Sequence, residues 1–302
     1  MWKALKKDLN HNWLMYIMIL PVLVYFIVFH YIPMYGITIA FKDFNVKQGI
    51  LGSPWVGFEN FGRFFSSYNF EMLMKNTLGI SLYSLVVEFP LPIVFALLLH
   101  YLKNKPLKKV VQMISYAPHF LSTVVICSML ILFCNEDSGI FNIVGQFFGM
   151  KPVNWLAKPE WFKSIYVWSG LWQGMGWSAV IYLSALSGVD YEMHEAAIVD
   201  GASIIQRMRY IDIPSISPTI VMLLILRLGS IMGVGFEKVY LMQNSLNYRA
   251  SQVISTYVYE VGLIQGDYSF STAAGLFNTV INGILIISAN NFSKRVLKES
   301  LW

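Results

Sequence analysis

Residues 190–218 read DYEMHEAAIVDGASIIQRMRYIDIPSISP, a polar, helix-forming segment between two long apolar runs. Asp190 suits a helix start, with Glu192 and Glu195 near the positive helix end. Met193, Ala196 and Ala197 fall at i, i+3 and i+4, one narrow apolar face on a short helix. Gly201 permits a sharp change of direction that a side chain would oppose. Ser203 and Gln206 have the spacing of a capping box, starting a second helix with Ile204, Ile205, Met208 and Ile211 on one side. Pro214 and Pro218 are expected to stop that helix before the next apolar run. The pattern predicts a bent helix pair presented at a membrane surface to a partner.

Working outward, 56% of the residues are hydrophobic and only 13% charged, and mean hydropathy is positive. A soluble chain carries about a quarter charged residues, so the missing charge calls for an apolar solvent. The apolar residues are bunched into runs near the 20 or so residues that cross a bilayer. An all-α integral membrane protein follows, with spans expected at about 13–32, 76–99, 111–133, 164–186, 219–240 and 270–290. Residues 1–12 and 291–302 are then terminal segments flanking a six-span domain, 13–290. The first run is too long for a signal-peptide core and lacks a cleavage site, so it reads as an uncleaved span. Pro90 and Pro92 mark a bend in the second. Residues 40–75 form a sizeable loop, with an interfacial helix expected near 61–74, and the apolar piece 140–148 is too short to cross.

Twelve of the 22 Lys and Arg fall on one side of these six spans: Lys3, Lys6, Lys7, Lys103, Lys105, Lys108, Lys109, Arg207, Arg209, Lys294, Arg295 and Lys298. The loops of the other side are much longer and hold fewer. The positive-inside rule puts both termini and 190–218 in the cytoplasm. Bases clustered beside spans are topology signals, so the net charge of +5 does not argue for nucleic acid.

Several partial motifs fail. Gly57 to Arg63 has the glycine spacing of a P-loop without its Lys and Ser/Thr. His194 and Glu195 begin a zinc-protease pattern, but Ile198 stands where the second His belongs. Cys127 and Cys134 share one apolar run and fit buried free thiols, not a disulfide or a zinc site. Gly170 with Gly174, and Gly229 with Gly233, have the spacing of close helix packing. The intramembrane polar residues are Glu88, Arg227, Asn278 and Asn282, the two asparagines on one helical face. Trp168, Trp172, Gln173 and Trp177 bring rings and an amide to the fourth span, a surface suited to sugars. The competing readings are a structural Glu88–Arg227 pair and tryptophans as interfacial anchors.

The order Glu195-Ala196-Ala197, Asp200-Gly201-Ala202, Ile211-Asp212-Ile213-Pro214 resembles the cytoplasmic EAA loop of permeases in binding-protein-dependent ABC importers, and it lies in the matching topological slot. Residues 31–36 (YIPMYG), 56–61 (VGFENF), 76–78 (NTL), 117–120 (APHF) and 255–259 (STYVY) resemble the carbohydrate-uptake branch, specifically permeases for complex oligosaccharides or polysaccharide fragments. Two departures stand out: Met193-His194, where Leu-Tyr would be expected, and the basic stretch Arg249-Ala250-Ser251-Gln252.

The resemblance implies a type I ABC importer permease fold in a bacterial cell membrane, and a transport subunit rather than an enzyme. It implies a second, homologous permease (heterodimers being usual), two ATPase subunits that carry ATP and Mg, and an extracytoplasmic solute-binding lipoprotein. No cofactor is expected on this chain. Glu195, Ala196, Ala197, Asp200, Gly201, Ala202, Met208, Ile211 and Pro214 are the implied ATPase-coupling residues. Glu88, Trp172, Gln173, Arg227, Asn278 and Asn282 are the candidate substrate pathway. A secondary transporter would be expected to show internal repeats and mid-membrane ion-binding acids. A membrane-embedded glycosyl enzyme would need converging acids or histidines. Neither rival explains residues 190–218.

Overall fold

The computed structural model describes residues 11–296. Lys3, Lys6, Lys7 and Lys298 therefore lie outside the described residues. Among the described residues the chain is all helical, with one isolated antiparallel bridge between Lys42 and Trp55 and no strand. Among the described residues four helical segments are long and apolar enough to cross a membrane: Trp13–Phe41, Phe70–Tyr101, Ile204–Leu228 and Tyr268–Arg295. A bent pair over residues 105–133, counted as one span, makes five. The chain divides into two compact units.

The first unit comprises residues 11–67 and 260–276. Its helix α1 (Trp13–Phe26) continues through a π turn, Ile27–Tyr31, and a 3-10 stretch, Tyr35–Phe41. No residue of α1 is buried, and a helix apolar on every side needs lipid or a partner around it. Beyond it the chain is held by Asn60, whose Nδ2 donates to the carbonyls of Ala40 and Lys42 at 3.0 and 3.1 Å. Arg63 pairs with Asp267 at 2.7 Å. The interfacial helix expected at 61–74 is shorter and earlier, Glu59–Phe65. Residues 66–69 break it, and Phe70 already begins the next long helix.

The second unit, residues 68–259 and 277–296, holds α2 (Phe70–Glu88), α3 (Pro90–Tyr101), α4 (Lys105–Tyr116), α5 (Thr123–Phe133), α6 (Pro159–Leu186), α7 (Tyr191–Val199), α8 (Ile204–Leu228) and α9 (Phe236–Met242). The final helix, α10 (Tyr268–Val296), starts in the first unit and runs into this one. The 28-residue α6 is central, packed against α2, α3, α4 and α8. Its Phe162, Val167 and Ala179 are fully buried. Cys127 and Cys134 are free, buried thiols.

Three further features differ from the sequence expectation, each for a local reason. The apolar run 111–133 is not one straight helix, because α4 and α5 meet at 101°. In α4, Leu107, Val110, Val111 and Ile114 line one face, and Lys105, Lys108 and Lys109 the other. That pattern suits a helix lying in the membrane interface. Ser122 then caps α5, accepting from the amide of Val125. Secondly, Pro214 and Pro218 do not stop the helix that Ser203 starts. A π turn at Met208–Asp212 widens the backbone just before Pro214, relieving the clash a proline ring makes with the preceding turn. The Ser215 hydroxyl donates to the Ile211 carbonyl at 2.6 Å. Thirdly, the run expected as 219–240 ends its helix at Leu228. Gly229, Gly233 and Gly235 support a turn there, and α9 restarts at Phe236.

Candidate functional site

Two places gather the residues singled out by the sequence, and both lie in the second unit. The first is 190–218. Asp190 caps α7, its carboxylate accepting from the Glu192 amide at 2.9 Å. The helix ends in a Schellman arrangement. Gly201, at φ +78°, donates to the Ile198 carbonyl at 3.0 Å, and the Ala202 amide donates to Ala197 at 2.8 Å. Ser203 and Gln206 then form the full capping box. Much of the EAA–DGA pattern is therefore stop-and-restart chemistry that fixes the angle between α7 and α8.

The surface of this bent pair is mixed in character. Glu195, Ala196, Asp200 and Gly201 are exposed, beside exposed Ile198, Val199, Ile204 and Ile205. The other side is anchored. His194 and Asp212 are buried, their Nε2 and Oδ1 atoms 3.1 Å apart. The Tyr101 hydroxyl at the end of α3 donates to the other oxygen of Asp212 at 2.7 Å. Of the implied coupling residues, Ile211 is buried and Met208 packs on an internal cluster with Leu186 and Ile216, so these two hold the segment from behind. Pro214 remains exposed.

The second place is a polar pair of cavities among the membrane helices. Glu88 sits where α2 breaks before Pro90, and Arg227 lies in the last turn of α8, where a cation suits the helix dipole. Arg227 donates to Glu88 at 2.5 Å. Cavities of about 330 and 320 Å³ share Glu88, Gly170 and Arg227 in their walls. Gln173, Ser81, Ser84, Ser230 and Lys238 line the second. Gly170 does not serve helix–helix contact here. A Cβ on it would lie 2.5 Å from the Glu88 carboxylate and 3.3 Å from the Lys238 ammonium, so its bareness lets these charges converge.

The remaining pathway candidates sit elsewhere. Trp172 lines an apolar cavity with Met129, Phe133, Trp161 and Trp168. Asn282 accepts from the Met232 amide at 3.0 Å, satisfying a non-helical backbone group in the turn between α8 and α9 as an apolar solvent demands. Asn278 has a buried Oδ1 without a hydrogen-bond partner. Sequence reasoning missed Lys238, buried with its ammonium donating to the Tyr166 carbonyl at 2.8 Å. It also missed Gly176, whose Cα faces the Ser115 backbone. The signal for Lys238 was a cation beside Glu237 near the end of the apolar run expected at 219–240.

A capped, bent segment anchored on long apolar helices, with polar cavities among those helices, fits a membrane transport subunit. Residues 89–298 match the family model "Binding-protein-dependent transport system inner membrane component", and the chain belongs to that family. It is 42% identical over 288 residues to the polygalacturonan/rhamnogalacturonan transport system permease protein YteP of Bacillus subtilis (strain 168), covering 95% of this chain and 90% of that one. A crystal structure of a bacterial ABC transporter involved in the import of the acidic polysaccharide alginate superposes with a TM-score of 0.90 at 38% identity, covering 97% and 99% of the two chains. The bacterial alginate ABC transporter in complex with an alginate pentasaccharide-bound periplasmic protein matches equally well, at 98% and 99% coverage. The chain is thus a multi-pass inner-membrane permease component.

Proposed function

We propose that this chain is one permease subunit of an ATP-driven importer that moves an oligosaccharide into the cell by alternating access. It crosses the membrane six times with both termini in the cytoplasm. It pairs with a second permease and two ATPase subunits carrying ATP and Mg, and it receives solute from an extracytoplasmic binding protein. The observation that carries this reading is the build of 190–218: exposed acids and apolar side chains on one side, a buried anchor into α3 and α8 on the other. Such an element transmits a push from a docked partner to the membrane helices. ATP-driven closure of the partner favours one cavity state and so shifts a conformational equilibrium.

The carbohydrate assignment rests on the relatives and on the cavity walls, where hydroxyls, an amide and charged groups suit a sugar. Arg227 and Lys238 outnumber Glu88 there, which favours an acidic oligosaccharide over a neutral one. Glu195→Lys and Gly201→Asp are expected to abolish uptake while the protein still reaches the membrane. Nothing lies within 4 Å of a Cβ at Gly201, although its φ of +78° strains any side chain placed there; Asp tolerates a positive φ better than most residues, so the strain stays local and the second variant should fold. Uptake of labelled oligouronides and of neutral oligosaccharides is measured in cells carrying each variant. Wild-type rates in both variants would refute the coupling role, and a preference for neutral sugars in the parent cells would refute the acidic substrate.

A further inference from the structure

His194 departs from the sequence pattern around it, and it does not do what its HEAAI context suggested. Its own helix offers no second ligand, but the fold supplies two from other elements. His100, near the end of α3, and Asp212, in the π turn of α8, meet His194 of α7 with one ligand atom from each residue within 4.8 Å of the others. His194 is 7% exposed and Asp212 fully buried. Their Nε2 and Oδ1 atoms stand 3.1 Å apart, an ion pair only when the imidazole is protonated, and neither atom has a hydrogen-bond partner. With the imidazole neutral, two buried polar atoms facing each other without a hydrogen bond are costly. Both point to something that accepts their lone pairs together.

We propose that His100, His194 and Asp212 form a divalent transition-metal site that ties the coupling helix to the bases of α3 and α8. The donor set is two imidazoles and a carboxylate, which suits zinc-like ions and leaves a fourth position for water. Bonds of about 2.0–2.1 Å in a tetrahedron set ligand atoms roughly 3.3 Å apart, so His194 and Asp212 already stand near the required separation, with a His100 ligand atom within 4.8 Å of both. Supporting contacts behind these ligands are in place as well. Tyr101 occupies Oδ2 of Asp212 at 2.7 Å, orienting the carboxylate and leaving Oδ1 free, as partners of metal-bound carboxylates do. The Arg207 guanidinium lies over that same Tyr101 ring, 5.3 Å from its centre. With one acid against a nearby Arg, hard oxygen-seeking ions such as Mg2+ are disfavoured relative to ions that prefer imidazole. All three ligands lie on different elements, so an occupied site holds 190–218 in the arrangement seen here and slows its movement against α3 and α8.

The full-length chain, purified in detergent with a histidine-free tag, is titrated with Co2+ and followed by its visible absorption, then challenged with Zn2+. One equivalent of Co2+ should produce the intense bands of a four-coordinate ion, and Zn2+ should displace it. His100→Gln and His194→Tyr should each remove the bands, and Tyr101→Phe should weaken binding by about 10-fold. Zn2+ should raise the thermal unfolding midpoint of the parent protein and not that of His100→Gln. His100 is only half-buried, so its variant remains informative if His194→Tyr destabilises the fold. Absence of stoichiometric binding by the parent chain overturns the site. So do bands that survive both histidine substitutions, since they would arise from His11, His30 or His119. Metal binding is read here without transport, so it stands or falls separately from the coupling role of Glu195 and Gly201.

Discussion

The Glu88 carboxylate and Arg227 guanidinium meet between two cavities at membrane depth, and the pair admits a structural and a transport reading. The two make different predictions. Removing either partner leaves a partly buried charge unpaired, which costs about 2 kcal/mol when a charged hydrogen bond is lost. Glu88→Ala and Arg227→Ala should each lower the thermal unfolding midpoint of the purified chain. The double variant Glu88→Ala with Arg227→Ala removes both members of the pair and leaves only the Lys238 ammonium charged there, so it should recover part of that loss, a coupling that a double-mutant cycle measures. Uptake should not recover with it, because both groups line the cavities shared around Gly170. Restored uptake in the double variant would reduce the pair to a strut. Asn282 does a local job at one atom: its Oδ1 accepts from the Met232 backbone amide, a bond that holds the turn between α8 and α9.

Among elements, the contact most sensitive to volume is where α6 crosses α4. A Cβ on Gly176 would lie 2.3 Å from the Ser115 carbonyl oxygen and 2.9 Å from the Ser115 Cβ. The nearest atom belongs to the backbone, so the helices must part. Gly176→Ala is expected to destabilise by about 1–3 kcal/mol, seen as a lower unfolding midpoint, while Gly174→Ala, with nothing within 4 Å, should be nearly neutral. Equal effects would mean that the crossing is soft. Small-residue spacing in the sequence pointed at Gly170 and Gly174 and passed over Gly176, because spacing cannot say which glycine faces a neighbour. Local signals were far more legible. The Asp190 cap and the Ser203–Gln206 box are read directly from residue types, since their chemistry spans only three positions. Helix ends were less so. The π turn before Pro214 and the 101° bend between α4 and α5 depend on how the chain packs, and Pro alone did not reveal that a helix could continue past it. The His100–His194–Asp212 cluster draws on residues 112 positions apart and was invisible until folded.

For the molecule as a whole, the open physical question is its orientation in the membrane. The lysines of α4 and the basic residues Arg207 and Arg209 of α8 lie in segments that the six-span reading places on one side, while residues 135–163 and 40–75 lie on the other. Basic residues are retained on the cytoplasmic side, so a reagent that cannot cross the membrane should tell the two sets apart. Native thiols do not interfere, because Cys127 and Cys134 are at most 1% exposed. Ser138 and Glu192 are both exposed and sit in opposite sets. Ser138→Cys should be labelled by an impermeant maleimide in intact spheroplasts, and Glu192→Cys only after permeabilisation. The reverse pattern would invert the protein and place 190–218 outside, where no ATP-driven partner could reach it. Labelling of both in intact cells would mean that one span between them does not cross. The candidate for that failure is α6, 28 residues long yet outside the set of helices apolar enough to span by composition. Its polar and small residues, Ser169, Gly170, Gln173 and Gly174, are tolerable at membrane depth because they face the cavities and other helices rather than lipid. Its crossing is therefore expected to depend on α2, α3 and α8 being present around it.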